Sequence, residues 1–201
     1  MQPARQSTGP RPLPRPTQAQ FLAAVFLGLF PVLGPGQLPA ATPHWIWTEP
    51  ASAVPTTNAW FRRTFTTPPY LWNARLTVAA DDACSVFLKG KPVADSHRPD
   101  QPIRAEVSVR LNQGRNVLAV RARNHAGPAG LLVHFNLGGS ETRELVSDGD
   151  WLSTTQESPG WNQLGFDDST WSRVRVLGEH GMPPWGDVLY QPQATPAESL
   201  T

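Results

Sequence analysis

Two pairs of adjacent aspartates are the residues of this chain with the clearest potential for chemistry. Asp81-Asp82 precedes an apolar run, and Asp167-Asp168 lies in a turn-rich segment. Carboxylates supply hard oxygen ligands for calcium and strong acceptors for sugar hydroxyls. In turns they also accept hydrogen bonds from backbone N–H groups. We expect this turn role for Asp81 and for Asp167-Asp168, whereas both roles stay open for Asp82.

Motifs of known catalytic or cofactor-dependent chemistry are missing from the sequence. It contains no G-x-S-x-G nucleophile motif, no metal-ligand spacing and no phosphate-binding loop. Calcium usually takes six or more oxygen ligands, and the acidic residues do not follow the spacing of a dedicated loop. We therefore predict no cofactor, with calcium as the one ion that Asp82 could help to bind. The prediction is also that the chain is not an enzyme.

A small glycosidase is the least favoured function. Glycoside hydrolysis needs two carboxylates that face each other across a cleft, about 5 to 10 Å apart. Asp82 and Asp168 are the residues that would be tested for it, but the acidic residues are mostly in turns. A sandwich of this length offers little room for a deep cleft.

Aromatic and polar residues in the loops are the candidate ligand contacts. Among eight tryptophans, three are surrounded by Gly, Pro, Asp and Asn, so their indoles are candidates for stacking on a sugar, with covering of the sandwich as the alternative. Asn124 and His125 end a predicted strand before a Gly-Pro loop, and His125 has no second His or Cys nearby for a metal. The predicted ligand-binding residues are Asp82, Asn124, His125, Trp151, Trp161 and Trp185.

Three arginines in predicted strands are a further candidate group. Arg62, Arg121 and Arg123 could clamp a carboxylated ligand, because a guanidinium group matches a carboxylate with two parallel hydrogen bonds. A solvated strand face is the simpler explanation of their positions.

The elements that position these residues are strands. From Thr42 onward no segment of ten residues has helical periodicity, and runs of four to eight residues alternate or are rich in β-branched and aromatic side chains. This pattern predicts an all-β jelly-roll sandwich of about eight antiparallel strands. The predicted strands are 45–47, 59–67, 75–80, 84–88, 106–111, 116–123, 131–137 and 173–177.

Two connections carry specific expectations. In the turn at Lys89-Gly90 we expect Gly90 alone to take the left-handed conformation, because Lys tolerates a positive φ poorly. Residues 106–111 and 116–123 are predicted to form a hairpin. Residues 148–185, rich in Trp, Gly, Pro and Asp, are predicted to form a long ordered wrap over the sandwich.

Four segments in this order resemble a known family. They are Trp60 to Phe65, Ala80 to Lys91, Gly114 to Asn124, and Asp167 to Trp171. Together with an opening Trp segment, they resemble the galactose-binding-domain-like jelly roll. Its nearest versions are the sugar-binding domain of family 2 glycoside hydrolases and the accessory N-terminal domain of bacterial α-L-rhamnosidases. The resemblance covers residues 45–188 and departs at Lys89, where the family commonly has Asn. It implies a carbohydrate-associated, non-catalytic module.

The ends and the composition complete the prediction. Residues 1–41 combine three arginines with an apolar run too short to span a bilayer, so we expect a cleaved signal peptide, with an uncleaved anchor or a wrongly extended start as the alternative. Its removal leaves 14 basic and 16 acidic residues, a balance that does not favour nucleic acid as a partner.

The single cysteine, Cys84, is expected to be a free core thiol. Residues 189–201 are expected to be a flexible tail.

The predicted function is a secreted or periplasmic, non-catalytic carbohydrate-binding domain, 42–188, with no stable membrane span after signal cleavage. The ligand is expected in loops at one end or on one face of the sandwich. The alternative is a protein interaction or assembly domain without a glycan ligand, in which the Trp-rich wrap makes the contact.

Overall fold

Two antiparallel β-sheets pack face to face in the computed structural model, which describes residues 41–49, 57–98 and 100–189. The predicted signal peptide, apart from Ala41, and residues 190–201 of the predicted tail lie outside these ranges. The strands are β1 (His44–Trp47), β2 (Thr57–Thr66), β3 (Asn73–Asp81), β4 (Ala83–Leu88), β5 (Lys91–Ser96), β6 (Ile103–Glu106), β7 (Arg115–Asn124), β8 (Gly130–Gly138), β9 (Arg143–Val146), β10 (Leu152–Thr154), β11 (Ser172–Arg173) and β12 (Arg175–Glu179).

The first sheet has the order β12-β1-β8-β3-β6, with β9 paired to β8, and the second has the order β11-β10-β2-β7-β4-β5. All pairings are antiparallel. The predicted all-β sandwich is confirmed, with 12 strands among the described residues rather than about eight. No α-helix is present in the described part of the chain, and no helix there could cross a membrane.

The core lies between the sheets and is built by alternation along the long strands. Leu76 and Val78 of β3 face Phe61 of β2 and Val120 of β7 within one cluster of buried side chains. Burying such side chains stabilises the fold by about 1.5–3 kcal/mol each. Cys84 also belongs to this cluster, and burial raises the pKa of its thiol to about 12. A thiol of this kind is protonated and unreactive in the folded protein, as expected for a core residue.

The turn between β4 and β5 differs from the prediction. Lys89 and Gly90 both have positive φ, 50° and 78°. Two residues with left-handed φ form the type I′ turn, whose twist matches that of the flanking strands, so the expectation for Lys89 was wrong. Its conformation is held by two bonds, since the Lys89 backbone N–H donates to Val117 O at 3.1 Å and its ammonium donates to Asn112 Oδ1 at 2.7 Å.

The predicted strand over 106–111 is also wrong. β6 ends at Glu106, and residues Ser108–Arg110 form a short 3-10 helix in which Val109 is 95% exposed. The Glu106 carboxylate accepts hydrogen bonds from the N–H groups of Ala74 and Ser108, which turns the chain out of the sheet. Because β6 pairs with β3 in the first sheet, this segment crosses between the sheets and forms no hairpin with β7.

The second sheet ends at β5, on the far side of β4. The β4–β5 pairing is irregular between Val86 and Phe87, and the carbonyl of Pro92 in β5 accepts a hydrogen bond from Arg110 at 2.7 Å. Proline has no N–H to offer a further strand, which suits it to this position.

Residues 155–171, which we call the wrap, cover part of the outer face of the second sheet. Trp161 and Trp171 pack there against Trp60 and Ala119. Arg62 lies beneath the wrap and is only 1% exposed, so neither the solvated-face interpretation nor the ligand-clamp interpretation applies to it. The prediction of an ordered covering segment over 148–185 is therefore correct in part, because residues 155–171 cover the second sheet whereas β10, β11 and β12 belong to the sheets themselves. The burial of an arginine beneath the wrap was not predicted.

The guanidinium group of Arg62 ties the wrap to the sheet. It donates to the carboxylate of Asp168 at 2.8 Å, to the carbonyl of Gln163 at 2.9 Å and to the carbonyl of Trp161. It also lies 5.1 Å from the centre of the Phe166 ring, within the range of cation–π attraction. The Asp168 carboxylate thus pairs with an arginine, where a capping role was expected. That capping role is filled by Asp167, which accepts a hydrogen bond from the Ser169 N–H at 3.0 Å.

Candidate functional site

Two chain connections meet at one end of the sandwich. β3 ends at Asp81 and β4 begins at Ala83, while residues 125–129 join β7 to β8. Asp81 is in register with Gly130, and Ala83 is in register with Arg123. The antiparallel register therefore brings the aspartate pair and the 125–129 loop to the same end, where several of the predicted ligand-binding residues lie.

Asp82 is bonded to the start of the 125–129 loop. Its N–H donates to Arg123 O at 2.8 Å, and its carboxylate accepts from the N–H of His125 at 2.7 Å. Burial works to raise the pKa of Asp82, but the hydrogen bonds from His125 N–H, Asp81 and Ala126 N–H outweigh it and lower the pKa. The Asp82 carboxylate is accordingly ionised near neutral pH, and it joins the two connections at this end.

Asn124 has an acceptor that no described residue satisfies. Its side-chain N–H donates to the carbonyl of Gly127 at 3.3 Å, which helps to fold the loop. Its Oδ1 is buried and has no hydrogen-bond partner within the described ranges. Because an unpaired buried acceptor costs about 1–3 kcal/mol, this oxygen is suited to accept a bond from any small donor that reaches it, such as a water molecule.

The carboxylate of Asp81 contacts a different part of the chain from that of Asp82. The Asp81 carboxylate accepts a hydrogen bond from the indole N–H of Trp185 at 2.8 Å, so it holds a side chain where a backbone contact was expected. Burial raises the pKa of Asp81, and the adjacent Asp82 carboxylate raises it further. The hydrogen bond from Trp185 acts in the opposite direction but does not outweigh these two effects. The Trp185 ring stacks on Trp45, with ring centres 4.3 Å apart. Trp185 is thus fixed by two contacts.

Trp185 also lines an open cleft of about 430 Å³. The indole is half-buried, so part of it remains accessible. Leu177, Met182 and Pro184 supply further apolar surface, and Arg175 supplies a charged group. We call this the tryptophan cleft, and it combines an aromatic surface with nearby polar groups, as small-ligand sites do.

The predictions for Trp151 and Trp161 are wrong, because neither indole is accessible. Trp151 is 0% exposed and lies in the main core, where its N–H donates to Val146 O at 2.8 Å. Trp161 is 5% exposed and packs edge-on against Phe87 between the wrap and the sheet. Neither can stack on a sugar: Trp161 serves the alternative role of covering the sandwich, and Trp151 is a residue of its core.

A second cavity, of about 170 Å³, is lined in part by His125. Its side chains include Ser85, His97, Arg121, Arg123 and His125. We call it the arginine cavity. His97 was not selected from the sequence, because it follows β5 and reaches this place only through the pairing of β5 with β4, in which Cys84 is opposite Ser96.

An exposed aromatic pair was also missed. Tyr70 and Trp72 precede β3 and are 81% and 65% exposed. They lie at the opposite end of β3 from Asp81 and so belong to neither cavity. The only local sequence signal is the preceding Pro68-Pro69 pair, which indicates a loop and does not reveal which way an aromatic ring points.

No cluster of three or more His, Cys, Asp or Glu side chains within the described ranges is arranged to hold a metal ion. Asp82 and Asn124 carry the oxygen atoms at this end that would join a calcium coordination shell. The absence of a cofactor, with calcium as the one possible ion, stays a prediction, as does the ligand-binding role of Asp82, Asn124, His125 and Trp185.

No family model and no curated protein matches the chain, but solved structures do. The α-L-rhamnosidase of Streptomyces avermitilis, solved with L-rhamnose, is 35% identical with a TM-score of 0.68, over 73% of this chain and 15% of that one. The chain resembles a rhamnosidase accessory domain. The lectin of Pleurotus ostreatus is 25% identical with a TM-score of 0.68, over 76% of this chain and 46% of the lectin.

A family 78 rhamnosidase from Bacillus sp. GL1 is similar in fold alone, at 21% identity and a TM-score of 0.62, over 72% of this chain and 19% of that one. The chain thus spans less than half the length of each of these three proteins. The resemblance inferred from the order of the sequence motifs is confirmed, and it concerns a carbohydrate-associated sandwich.

Proposed function

We propose that this chain is a secreted, non-catalytic carbohydrate-binding module that binds its ligand at the end of the sandwich formed by Asp82, Asn124, His125 and Trp185. The observation that carries the proposal is the presence of three features at one end of the sandwich. These are an ionised carboxylate, a buried amide oxygen without a partner in the described chain, and a half-buried indole in an open cleft.

These features match the two surfaces of a sugar. A pyranose ring presents an apolar face, which can lie on an indole, and a rim of hydroxyl groups. The Asp82 carboxylate accepts hydrogen bonds from hydroxyls strongly because it is charged, and Asn124 Oδ1 gains the partner that it lacks. Trp185 costs little entropy to order on binding, since Asp81 and Trp45 already hold it.

The similar structures support a binding role over a catalytic one. The Pleurotus ostreatus lectin is also known in complex with GalNAc, and the Streptomyces avermitilis enzyme in complex with L-rhamnose. This chain corresponds to 15% of that rhamnosidase, a share that fits an accessory module. Secretion rests on the signal-like composition of residues 1–41.

The test is a glycan array followed by titration calorimetry with the full chain and Asp82→Asn. We expect Asp82→Asn to weaken binding by about tenfold or more, because a hydrogen bond to a charged group contributes about 1.5–3 kcal/mol. The matched control is Asp167→Asn, since Asp167 accepts a backbone N–H in the same manner, from Ser169 at 3.0 Å, but lies on the wrap. It should bind like the wild type.

Two outcomes count against the proposal. Absence of binding to plant, bacterial and algal polysaccharides would remove the carbohydrate function. Binding that Asp82→Asn and Asp167→Asn leave equally unchanged would remove the site at the corner.

Protein interaction or assembly is the second candidate function. Because Trp161 and Trp171 are buried, the wrap offers no aromatic surface for a protein contact. The exposed side chains of Tyr70 and Trp72 offer one instead. Light scattering after size-exclusion chromatography should then show an oligomer or a co-purified partner that Tyr70→Ser with Trp72→Ser abolishes. A wild-type protein that is monomeric and co-purifies with no partner would contradict this function.

A further inference from the structure

Arg121 and Arg123 are two neighbouring cations that form no ion pair within the described ranges. They alternate along β7 with buried Val120 and Ala122, so both side chains lie on the outer face of the second sheet, and their Cα atoms are about 7 Å apart along the strand. Arg121 makes one long contact, 3.4 Å to the hydroxyl of Ser85, and Arg123 donates to the amide oxygen of Asn58 at 3.1 Å. Most of their N–H donors therefore remain available.

Other arginines of this sheet form ion pairs with carboxylates. Arg63 and Arg173 both pair with Asp150, at 2.8 and 2.9 Å. Near Arg121 the nearest acid by register is Asp95 of β5, which is opposite Ser85 and so two strands away, about 10 Å. Asp95 is exposed and does not line the arginine cavity. The positive charge of the cavity is thus left without a compensating group among its lining residues.

The size and the other lining residues of the arginine cavity also bear on what it can bind. His97 and His125 line it together with the two arginines, and Ser85 contributes a hydroxyl group. At about 170 Å³ the cavity is large enough for a group of the size of a carboxylate. The backbone N–H of His125 donates to the Asp82 carboxylate at 2.7 Å, so Asp82 lies close to a residue of the cavity. A group bound here would be part of a ligand that also reaches the Asp82 corner.

We propose that the arginine cavity binds the carboxylate of a uronic acid residue, so that the ligand class of the module is an acidic polysaccharide. This inference rests on the proposed carbohydrate function. A guanidinium group presents paired N–H donors in the geometry of a planar carboxylate, and such charge-assisted pairs are among the strongest hydrogen bonds in proteins. Arg121 and Arg123 bind the carboxylate, while the sugar ring extends past His125 towards Asp82 and Asn124.

The test compares each acidic glycan with a neutral form of itself. Polyuronates of galacturonate, glucuronate and guluronate are titrated into the full chain, together with their carboxyl-reduced derivatives, in which each carboxylate has become a hydroxymethyl group. We expect at least one polyuronate to bind about tenfold more tightly than its reduced form at low salt. The difference should shrink as salt is added, because salt screens exposed charges.

Substitution then assigns the preference to the cavity. Arg121→Gln with Arg123→Gln should abolish the preference for the acid form, so that the acid and reduced forms bind this variant with affinities within about twofold of each other. Arg173→Gln is the matched control, because it removes an exposed arginine of the same sheet outside the cavity. It should retain the preference.

The results separate this inference from the proposed function. Equal binding of acid and reduced forms, or a preference that survives the double arginine substitution, overturns the uronate assignment and leaves carbohydrate binding intact. Arginine-dependent binding of sulfated glycans without binding of any polyuronate also overturns it. If no glycan binds in any form, both proposals fail.

Discussion

Replacing Arg62 by alanine is expected to lower the free energy of unfolding by about 2–4 kcal/mol, because a buried guanidinium group that bonds three acceptors is removed, although Asp168 is partly exposed to water. Three acceptors would lose their donor, namely the Asp168 carboxylate and the carbonyls of Trp161 and Gln163. The wrap would also lose its anchor on β2. Arg62→Lys should recover only part of the loss, because one ammonium cannot reproduce the fork of the guanidinium group.

The adjacent arginine supplies the control. Arg63 pairs with Asp150 at 2.8 Å, but Asp150 is exposed, so Arg63→Ala should cost only about 0–1 kcal/mol. Urea unfolding, followed by tryptophan fluorescence and circular dichroism, measures all three variants. Similar losses for Arg62→Ala and Arg63→Ala would contradict the anchoring role of Arg62.

Trp151→Ala is expected to be about as damaging, with a loss of about 3–5 kcal/mol. The indole is fully buried in the main core, and its N–H bonds to Val146 O. The backbone of Trp151 also accepts a hydrogen bond from the N–H of Val174 at 3.1 Å, which links the start of β10 to the segment after β11. Alanine would leave a cavity where these segments meet.

Two further variants make this second prediction specific. Trp151→Phe keeps most of the apolar volume and should lose less, including about 1 kcal/mol for the hydrogen bond. Trp72→Ala removes an indole that is 65% exposed and should change stability by less than about 0.5 kcal/mol. Thermal and urea unfolding of the full chain give both values. A Trp151→Ala protein as stable as Trp72→Ala would show that Trp151 is not a core residue.

The long strands could be predicted from the sequence because their alternation is strong. Leu76 and Val78 of β3, and the Val133 and Phe135 pair of β8, are buried as their spacing indicates. The same spacing misled the prediction at Val107 and Val109, because the Glu106 carboxylate binds Ser108 N–H and ends the strand. Periodicity measures which residues could share a face, and it does not include such competing local hydrogen bonds.

The candidate site was predictable only in part. Asp82 and the Asn124-His125 pair were found because turn and strand signals flank them, and Trp185 because its surroundings indicate a loop. Trp151 has similar surroundings, yet it points inward, since loop composition does not determine the direction of an indole. His97 could not be found from local sequence, because only the β4–β5 pairing carries it to the arginine cavity.

The outer edge of β5 determines how copies of the domain can meet. An edge strand normally presents free N–H and C=O groups that another chain can extend, which leads to fibrous association. Here Pro92 lacks the N–H, its carbonyl is occupied by Arg110, and Lys91 adds a charge at the end of the strand. The β5 edge of this sheet is therefore protected against continuation from one molecule into the next, so a high local concentration of the domain does not promote aggregation through β5.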